Sequence, residues 1–275
     1  MIPAAFEYER AESIDHALEL LGQNGDDAKL LAGGHSLLPL MKLRLAQPSM
    51  LVDIGRLSDL SYVREDGDRI AIGALTCHED VSRSDVLKTS CPIVSHAAGE
   101  VGDPQVRHFG TIGGSVAHGD PASDLPAVLL ALEADFVIRG TNGERTASAG
   151  DFFKGLFEVD LESQEMLTEI RVPVTGDAGW SYQKFHHRAQ DWAIVGVAAV
   201  ASNGGARVAL TTMGETPLRA RAVEEALASG ADATTAAQHA DDGTSPPSDP
   251  FGSAEYRRDL AKILTRRALE EALSR

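Results

Sequence analysis

Hydrophobic positions along the first third of the chain alternate between helical and extended spacing. Ile14, Ala17, Leu18 and Leu21 recur on one helical face, Ser13 can cap that helix, and Gly22 to Asp27 ends it. Lys29-Leu30-Leu31-Ala32 reads as a short buried strand entering a glycine turn, Ala32-Gly33-Gly34-His35-Ser36. Leu37 to Leu45 is helix-compatible because Pro39 falls in its first turn. Met50 to Ile54 is the next strand. Further on, Arg69 to Ala74 predicts a strand, and Thr76-Cys77-His78-Glu79 a capping box that opens a helix. Pro92 to Val101 is another helix, and a second glycine turn occupies Gly110 to Ser115. Leu125 to Leu132 is apolar and helical, Phe136 to Ile138 extended, Thr141 to Glu144 a hairpin turn, and Met166 to Val172 a late strand.

A third segment begins near Trp180. Trp192 to Ala201 and Arg207 to Met213 are β-prone, with Asn203-Gly204-Gly205 as the hairpin between them. A helix is predicted over Ala220 to Ala228. Ser229 to Ser253 lacks large apolar residues and contains Pro246-Pro247, so it reads as an exposed linker. Ser253 to Leu273 closes the chain as a helix striped by Tyr256, Leu260, Ile263, Leu264 and Leu269. No repeat or heptad pattern is visible.

Composition narrows the classes. A chain of 275 residues, 43% hydrophobic and 24% charged, is long and apolar enough for a globular protein of several subdomains. A net charge of −16 argues against a nucleic-acid partner, which needs clustered Lys and Arg. It leaves a phosphate cofactor open, because backbone N–H groups bind phosphate without basic side chains. No apolar run is long enough to span a bilayer. Met1 to Arg10 lacks a basic start followed by an apolar block, so the expected location is the cytoplasm. Cys77 and Cys91 are the only cysteines, too few for a four-cysteine iron–sulfur cluster. Redox chemistry here would need an organic cofactor, or a cluster on another chain.

The two glycine turns carry the most chemistry. Each leaves a strand-like stretch and is followed by a hydroxyl, Ser36 or Ser115. Bare glycine backbone lets a phosphate approach, and a hydroxyl adds a donor. Two such turns could converge on one long polyanion such as FAD, or each could be a tight turn needing positive φ; locally both remain open. There is no Gly-x-Gly-x-x-Gly and no Walker A loop, so Rossmann and P-loop sites have no support. His118-Gly119-Asp120-Pro121-Ala122-Ser123-Asp124 matches no metal-ligand spacing. Its alternatives are a turn, a helix cap at Ser123 or Asp124, or Asp124 accepting from sugar hydroxyls. In Gln183 to Ala193, His186 and His187 would face opposite ways in a strand. Trp192 could stack on a planar ring or fill the core, and Lys184, Arg188 and Asp191 read as an ion-paired edge. No hydrolase elbow or His-Glu-x-x-His helix is present.

Taken together, Ala32 to Ser36, Thr111 to Ser115, Ala122 to Pro126, Lys184-Phe185 with Arg188 to Ala193, and Ser253 to Leu269 resemble one family in order and spacing. It is the medium, FAD-binding subunit family of molybdenum hydroxylases, which includes aerobic carbon monoxide dehydrogenase and the flavin domain of xanthine dehydrogenase. The resemblance spans nearly the whole chain. It implies an α+β, vanillyl-alcohol-oxidase (PCMH)-type fold. Two FAD-binding subdomains, 1–56 and 57–176, would precede a C-terminal domain, 177–275, pairing a three-stranded antiparallel sheet with helices. It also implies that Ala32, Gly33, Gly34, His35, Ser36 and Leu37, with Thr111, Ile112, Gly113, Gly114 and Ser115, hold the FAD pyrophosphate. Asp124, beside Ala122 and Ser123, would bind ribityl or ribose hydroxyls. Backbone near Leu167 would meet adenine, Lys184 would lie close to the flavin, and Trp192 would cover one isoalloxazine face. No catalytic acid or base and no metal ligand is expected on this chain.

The implied activity is oxidoreductase electron relay. A large molybdenum subunit would oxidise substrate, a small subunit would carry two [2Fe–2S] clusters, and this chain would pass electron pairs to an external acceptor. The implied assembly is a dimer of heterotrimers. The pattern sits nearest the carbon monoxide dehydrogenase branch, although an aldehyde, a purine or another N-heterocycle stays open as substrate. A quinone, a carrier protein, dioxygen and NAD⁺ stay open as acceptor. Two other readings compete: a stand-alone FAD oxidase or reductase, and a non-enzymatic assembly protein whose glycine turns are purely structural.

Overall fold

The computed structural model describes residues 2–202 and 205–275. Met1, Asn203 and Gly204, and with them the tip of the 203–205 hairpin, lie outside the described residues. Among the described residues no helix is long and apolar enough to cross a membrane.

The first unit is a three-stranded parallel sheet, ordered Glu7–Arg10, Met50–Asp53, Ala28–Leu31. Helix Ile14–Asn24 covers it. The Ser13 hydroxyl accepts from the His16 N–H, and Ala17, Leu18 and Leu21 are buried. Burying each leucine contributes roughly 1.5–3 kcal/mol. The helix after the first glycine loop is shorter than expected, Leu37–Lys42.

The second unit is a five-stranded antiparallel sheet. Its order is Val63–Asp66, Arg69–Gly73, Glu165–Pro173, Asp135–Gly140, Gly143–Ser148. The predicted 141–144 turn joins its last two strands. Helices Pro92–Gly99 and Asp124–Ala131 pack into its core, their apolar residues buried except the half-buried Pro92. The predicted capping box does not form. The Thr76 hydroxyl instead donates to the Tyr62 carbonyl and accepts the Tyr62 N–H, 3.0 Å each, while Glu79 pairs with Arg83 and Arg107. Helix His78–Arg83 therefore starts from Cys77 without a side-chain cap.

The third sheet has four antiparallel strands: Trp180–Phe185, Val195–Ser202, Gly205–Thr211 and Leu218–Arg219. The expected three gain a fourth. Two residues after Pro217 are too short to show a period of two, yet they pair with Leu210 and Ala209. The strand expected from Trp192 begins only at Val195, leaving Trp192 in a loop. His186 and His187 likewise follow the strand end at Phe185.

The expected linker is also structured. Ala233–Ala236 is helical, and Ala236, Ala237 and Ala240 are buried under the last helix. Methyl-sized side chains fill a narrow gap that a count of large apolar residues overlooks. In the last helix, Ala254–Ser274, the buried face is Arg257, Leu260, Ala261, Leu264, Thr265, Ala268, Leu269 and Ala272. Tyr256 and Ile263 of the predicted stripe are each 43% exposed. Arg257 belongs to the buried face because it donates to Asp249 at 2.6 Å and to the Ile194 carbonyl. Arg257→Met is expected to cost about 3 kcal/mol in urea unfolding, since it strands both acceptors. A loss below about 1 kcal/mol, the scale of a surface pair, would show that the bridge holds nothing together.

Candidate functional site

The first glycine loop leaves strand Ala28–Leu31. Gly34 has φ +73°, a conformation glycine adopts without strain. A Cβ on Gly33 would stand 1.9 Å from the Phe109 carbonyl oxygen, so only glycine allows this approach. Phe109 ends helix Pro104–Phe109, immediately before the second glycine motif. The two motifs, more than seventy residues apart, therefore touch through backbone. Among the described residues the N–H groups of Gly33, Gly34, His35 and Ser36 have no protein acceptor. Leu37 begins the following helix, with Ala32 half-buried at the strand end.

The second motif is not the tight turn expected. Thr111 caps helix Ile112–His118, so Gly113 and Gly114 are helical. Its N–H groups are engaged: Ile112 to Thr76 O at 3.0 Å, Gly113 to Ala74 O at 2.9 Å, Gly114 to the Thr111 hydroxyl at 3.0 Å, and Ser115 to Thr111 O at 3.0 Å. Gly113 is needed for packing, because its Cβ would lie 2.5 Å from Ala74 O. Gly114 is exposed, and a Cβ there would meet only the Thr111 hydroxyl. The loop Ala74 to Cys77 binds this motif to the third predicted piece: Ala74 N–H donates to Thr168 O at 2.9 Å, beside the irregular register at Leu167.

Asp124, Lys184 and Tyr182 form a second cluster. The Tyr182 hydroxyl donates to Asp124 Oδ1 at 2.5 Å, and Lys184 Nζ to Oδ2 at 2.9 Å and to the Glu100 carbonyl at 2.9 Å. The Asp124 and Lys184 side chains are almost wholly buried. Burial raises the Asp124 pKa, and the Lys184 charge partly offsets it. Burial, and then the Asp124 charge, push the Tyr182 phenol well above its usual value, so it remains a donor. Each carboxylate oxygen keeps one free lone pair. The sequence reading named Asp124 and Lys184 but missed Tyr182. The signal was there: Tyr182 and Lys184 stand two apart in strand Trp180–Phe185 and share a face.

Ser123 occupies the cap position of helix Asp124–Ala131 without a side-chain bond. Asp120 makes the turn before it, accepting the Ala122 N–H on its side chain at 2.8 Å and the Ser123 N–H on its carbonyl at 3.0 Å. Pro121 O accepts the Thr212 N–H, and the Thr212 hydroxyl donates to Ala193 O. That chain of bonds brings the Trp192 loop beside the 120–124 segment. Trp192 itself is 56% exposed.

The arrangement thus has a glycine seam with four free N–H donors and a buried carboxylate–ammonium–phenol cluster. Residues 4–175 match the family described as FAD binding domain in molybdopterin dehydrogenase, and residues 180–272 the CO dehydrogenase flavoprotein C-terminal domain. The carbon monoxide dehydrogenase medium chain of Hydrogenophaga pseudoflava is 44% identical over 285 residues, covering 100% of this chain and 99% of that one. The glyceraldehyde dehydrogenase medium chain of Sulfolobus acidocaldarius is 39% identical, covering 98% and 99%. A solved structure of carbon monoxide dehydrogenase from Hydrogenophaga pseudoflava, lacking the Mo-pyranopterin moiety of its cofactor, superposes with a TM-score of 0.96. It is 45% identical, covering 100% of this chain and 99% of that one.

Proposed function

Since this chain belongs to the FAD-binding subunit family of molybdopterin dehydrogenases and is an oxidoreductase flavin subunit of the carbon monoxide dehydrogenase type, we propose that it serves as the electron-relay subunit of a molybdenum hydroxylase. It would take electrons from the [2Fe–2S] clusters of a small partner and deliver them to an external acceptor. Carbon monoxide is the leading substrate of the whole complex, with a large molybdenum subunit as the site of its oxidation. A dimer of heterotrimers in the cytoplasm is the assembly we favour. We place domain bounds at 1–56, 57–176 and 177–275, a division supported by the three larger sheets, whose strands end at Asp53, run from Val63 to Pro173, and resume at Trp180.

One observation carries the cofactor assignment: the four unpartnered N–H groups of Gly33 to Ser36, held against Phe109 by a contact that no side chain could share. Such a row of donors suits the oxygens of a pyrophosphate. The Ser36 hydroxyl, exposed Gly114 and half-buried Ser115 would complete that cradle; Ala32, Leu37, Thr111, Ile112 and Gly113 shape its walls. Asp124 would turn its remaining lone pairs to sugar or ribityl hydroxyls, flanked by Ala122 and Ser123 and held by Tyr182 and Lys184. Backbone at Leu167 would face adenine. The exposed Trp192 would cover the flavin ring. FAD supplies the exchange of single electrons for pairs; the chain's own share is to hold, orient and shield it.

The test is purification from the native host, with the released flavin identified and metals assayed in the same sample. FAD, iron and molybdenum with two further chains is the expected result. FAD on a lone, metal-free chain would refute the relay and favour a stand-alone flavoenzyme. The absence of flavin would leave the glycine seam as structure only.

A further inference from the structure

His78 opens helix His78–Arg83, and its N–H is tied to Gly110 O at 2.9 Å. Its ring is buried, 4% exposed. The Cδ2–Nε2 edge lies against Gly110, 3.0 and 3.3 Å from where a Cβ would stand there. Gly110 directly follows Phe109, whose carbonyl meets Gly33. The ring edge therefore borders the seam between the two glycine motifs. Nδ1 is sealed from solvent without a partner; among the described residues Nε2 has no hydrogen-bond partner either, and it is not one of the sealed atoms.

We propose that His78 is a further cofactor-holding residue, whose Nε2–H donates to an oxygen of the FAD pyrophosphate at this seam. This rests on the FAD reading above. Burial, with His35 and Arg107 nearby, pushes the His78 pKa down to about 4, so the ring is neutral at ordinary pH. A neutral imidazole carries one N–H. Placing it on Nδ1 would bury an unmatched donor, and unmatched donors are the rarer and costlier defect. The proton belongs on Nε2, at the open edge. Arg107, the nearby guanidinium, is already committed to Glu79 at 3.1 Å. The His78 donor joins the four from Gly33 to Ser36, and one polyanion satisfies both sets.

The experiment uses His78→Leu and His78→Gln in the native assembly, stripped of flavin and titrated with FAD. Gly33→Ala is carried in parallel. His78→Leu is expected to bind FAD about tenfold more weakly or worse, the scale of a hydrogen bond to a charged group. The melting temperature of its flavin-free form should be unchanged or raised, because a buried unmatched atom is removed. His78→Gln, which keeps an N–H donor, should recover most of the affinity. It should also shift the ³¹P signals of bound FAD without moving the visible flavin spectrum. Wild-type affinity in His78→Leu, with Gly33→Ala still losing FAD, would overturn the His78 role and spare the cofactor site. Equal weakening in both His78 variants, or a flavin-free form that melts earlier, would make His78 structural and overturn the proposal. Unchanged affinity in all three variants would overturn the site itself.

Discussion

Gly33→Ala is expected to release FAD, with a Kd raised about 100-fold or more. The reason is geometric. A methyl group at this position would sit 1.9 Å from the Phe109 carbonyl oxygen, and both sides of that contact are backbone. Relief requires the first loop to move away from Phe109 and Gly110. The free N–H groups of Gly33 to Ser36 would then leave their alignment with the second motif. Losing two charge-assisted hydrogen bonds at about 1.5–3 kcal/mol each gives the expected factor. Gly34→Ala should be milder. Its φ of +73° costs alanine about 1–2 kcal/mol, but the atom it would meet, Leu38 Cδ1 at 2.8 Å, ends a movable side chain. Gly114→Ala should be milder still, since only the Thr111 hydroxyl stands in the way. Flavin-to-protein ratios and fluorescence titration with FAD measure the order. A Gly33→Ala protein with native affinity would remove the first loop from the site.

Helices Ile14–Asn24, Pro92–Gly99, Asp124–Ala131, Arg221–Ala228 and Ala254–Ser274 and strands Ala28–Leu31, Met50–Asp53, Arg69–Gly73 and Glu165–Pro173 could be read from spacing, because each is announced by local chemistry; helices Asp85–Ser90, Pro104–Phe109, Ile112–His118 and Ala149–Phe152 could not. What could not be read depends on partners distant in sequence. Gly113 and Gly114 look like a turn by composition. They are helical because Thr111 caps them and the loop at Ala74 to Thr76 accepts the N–H groups of Ile112 and Gly113. Thr76 and Glu79 have capping-box spacing, yet Tyr62 and Arg107, from other elements, outcompete the helix for them. Arg257 interrupts the apolar pattern of the last helix, and nothing local says that Ile194 and Asp249 will receive it. The alanines between Ser229 and Ser253 are core only because the helix above them is close. In the buried cluster Asp124 and Lys184 were visible in the sequence, while Tyr182, whose hydroxyl holds Asp124, was not.

Lys184→Met is the second large effect, and it separates the buried cluster's role in stability from its role at the flavin. The substitution keeps the length of the stem and removes the charge that faces Asp124 at 2.9 Å. Asp124 is then a buried carboxylate with only the Tyr182 hydroxyl as donor. Breaking a buried pair from one side costs about 3–5 kcal/mol, read as a lower midpoint in urea at pH 7. The pH dependence has a definite sign. Burial already raises the folded pKa of Asp124, and Lys184 opposes that rise. Without the lysine the folded pKa climbs further, so between the unfolded and folded values the native state binds the extra proton. Stability then falls as pH rises through that window and is regained below the ordinary carboxylate pKa. The deficit of Lys184→Met should therefore be largest at neutral pH and smallest near pH 4. Adding Asp124→Asn should restore most of the loss at pH 7, because the stranded charge is gone. That double variant should still bind FAD less tightly than the wild type if Asp124 holds a sugar or ribityl hydroxyl. Recovery of stability together with native FAD affinity would confine the cluster to folding. A single variant as stable as the wild type at pH 7 would mean that Asp124 is already neutral there.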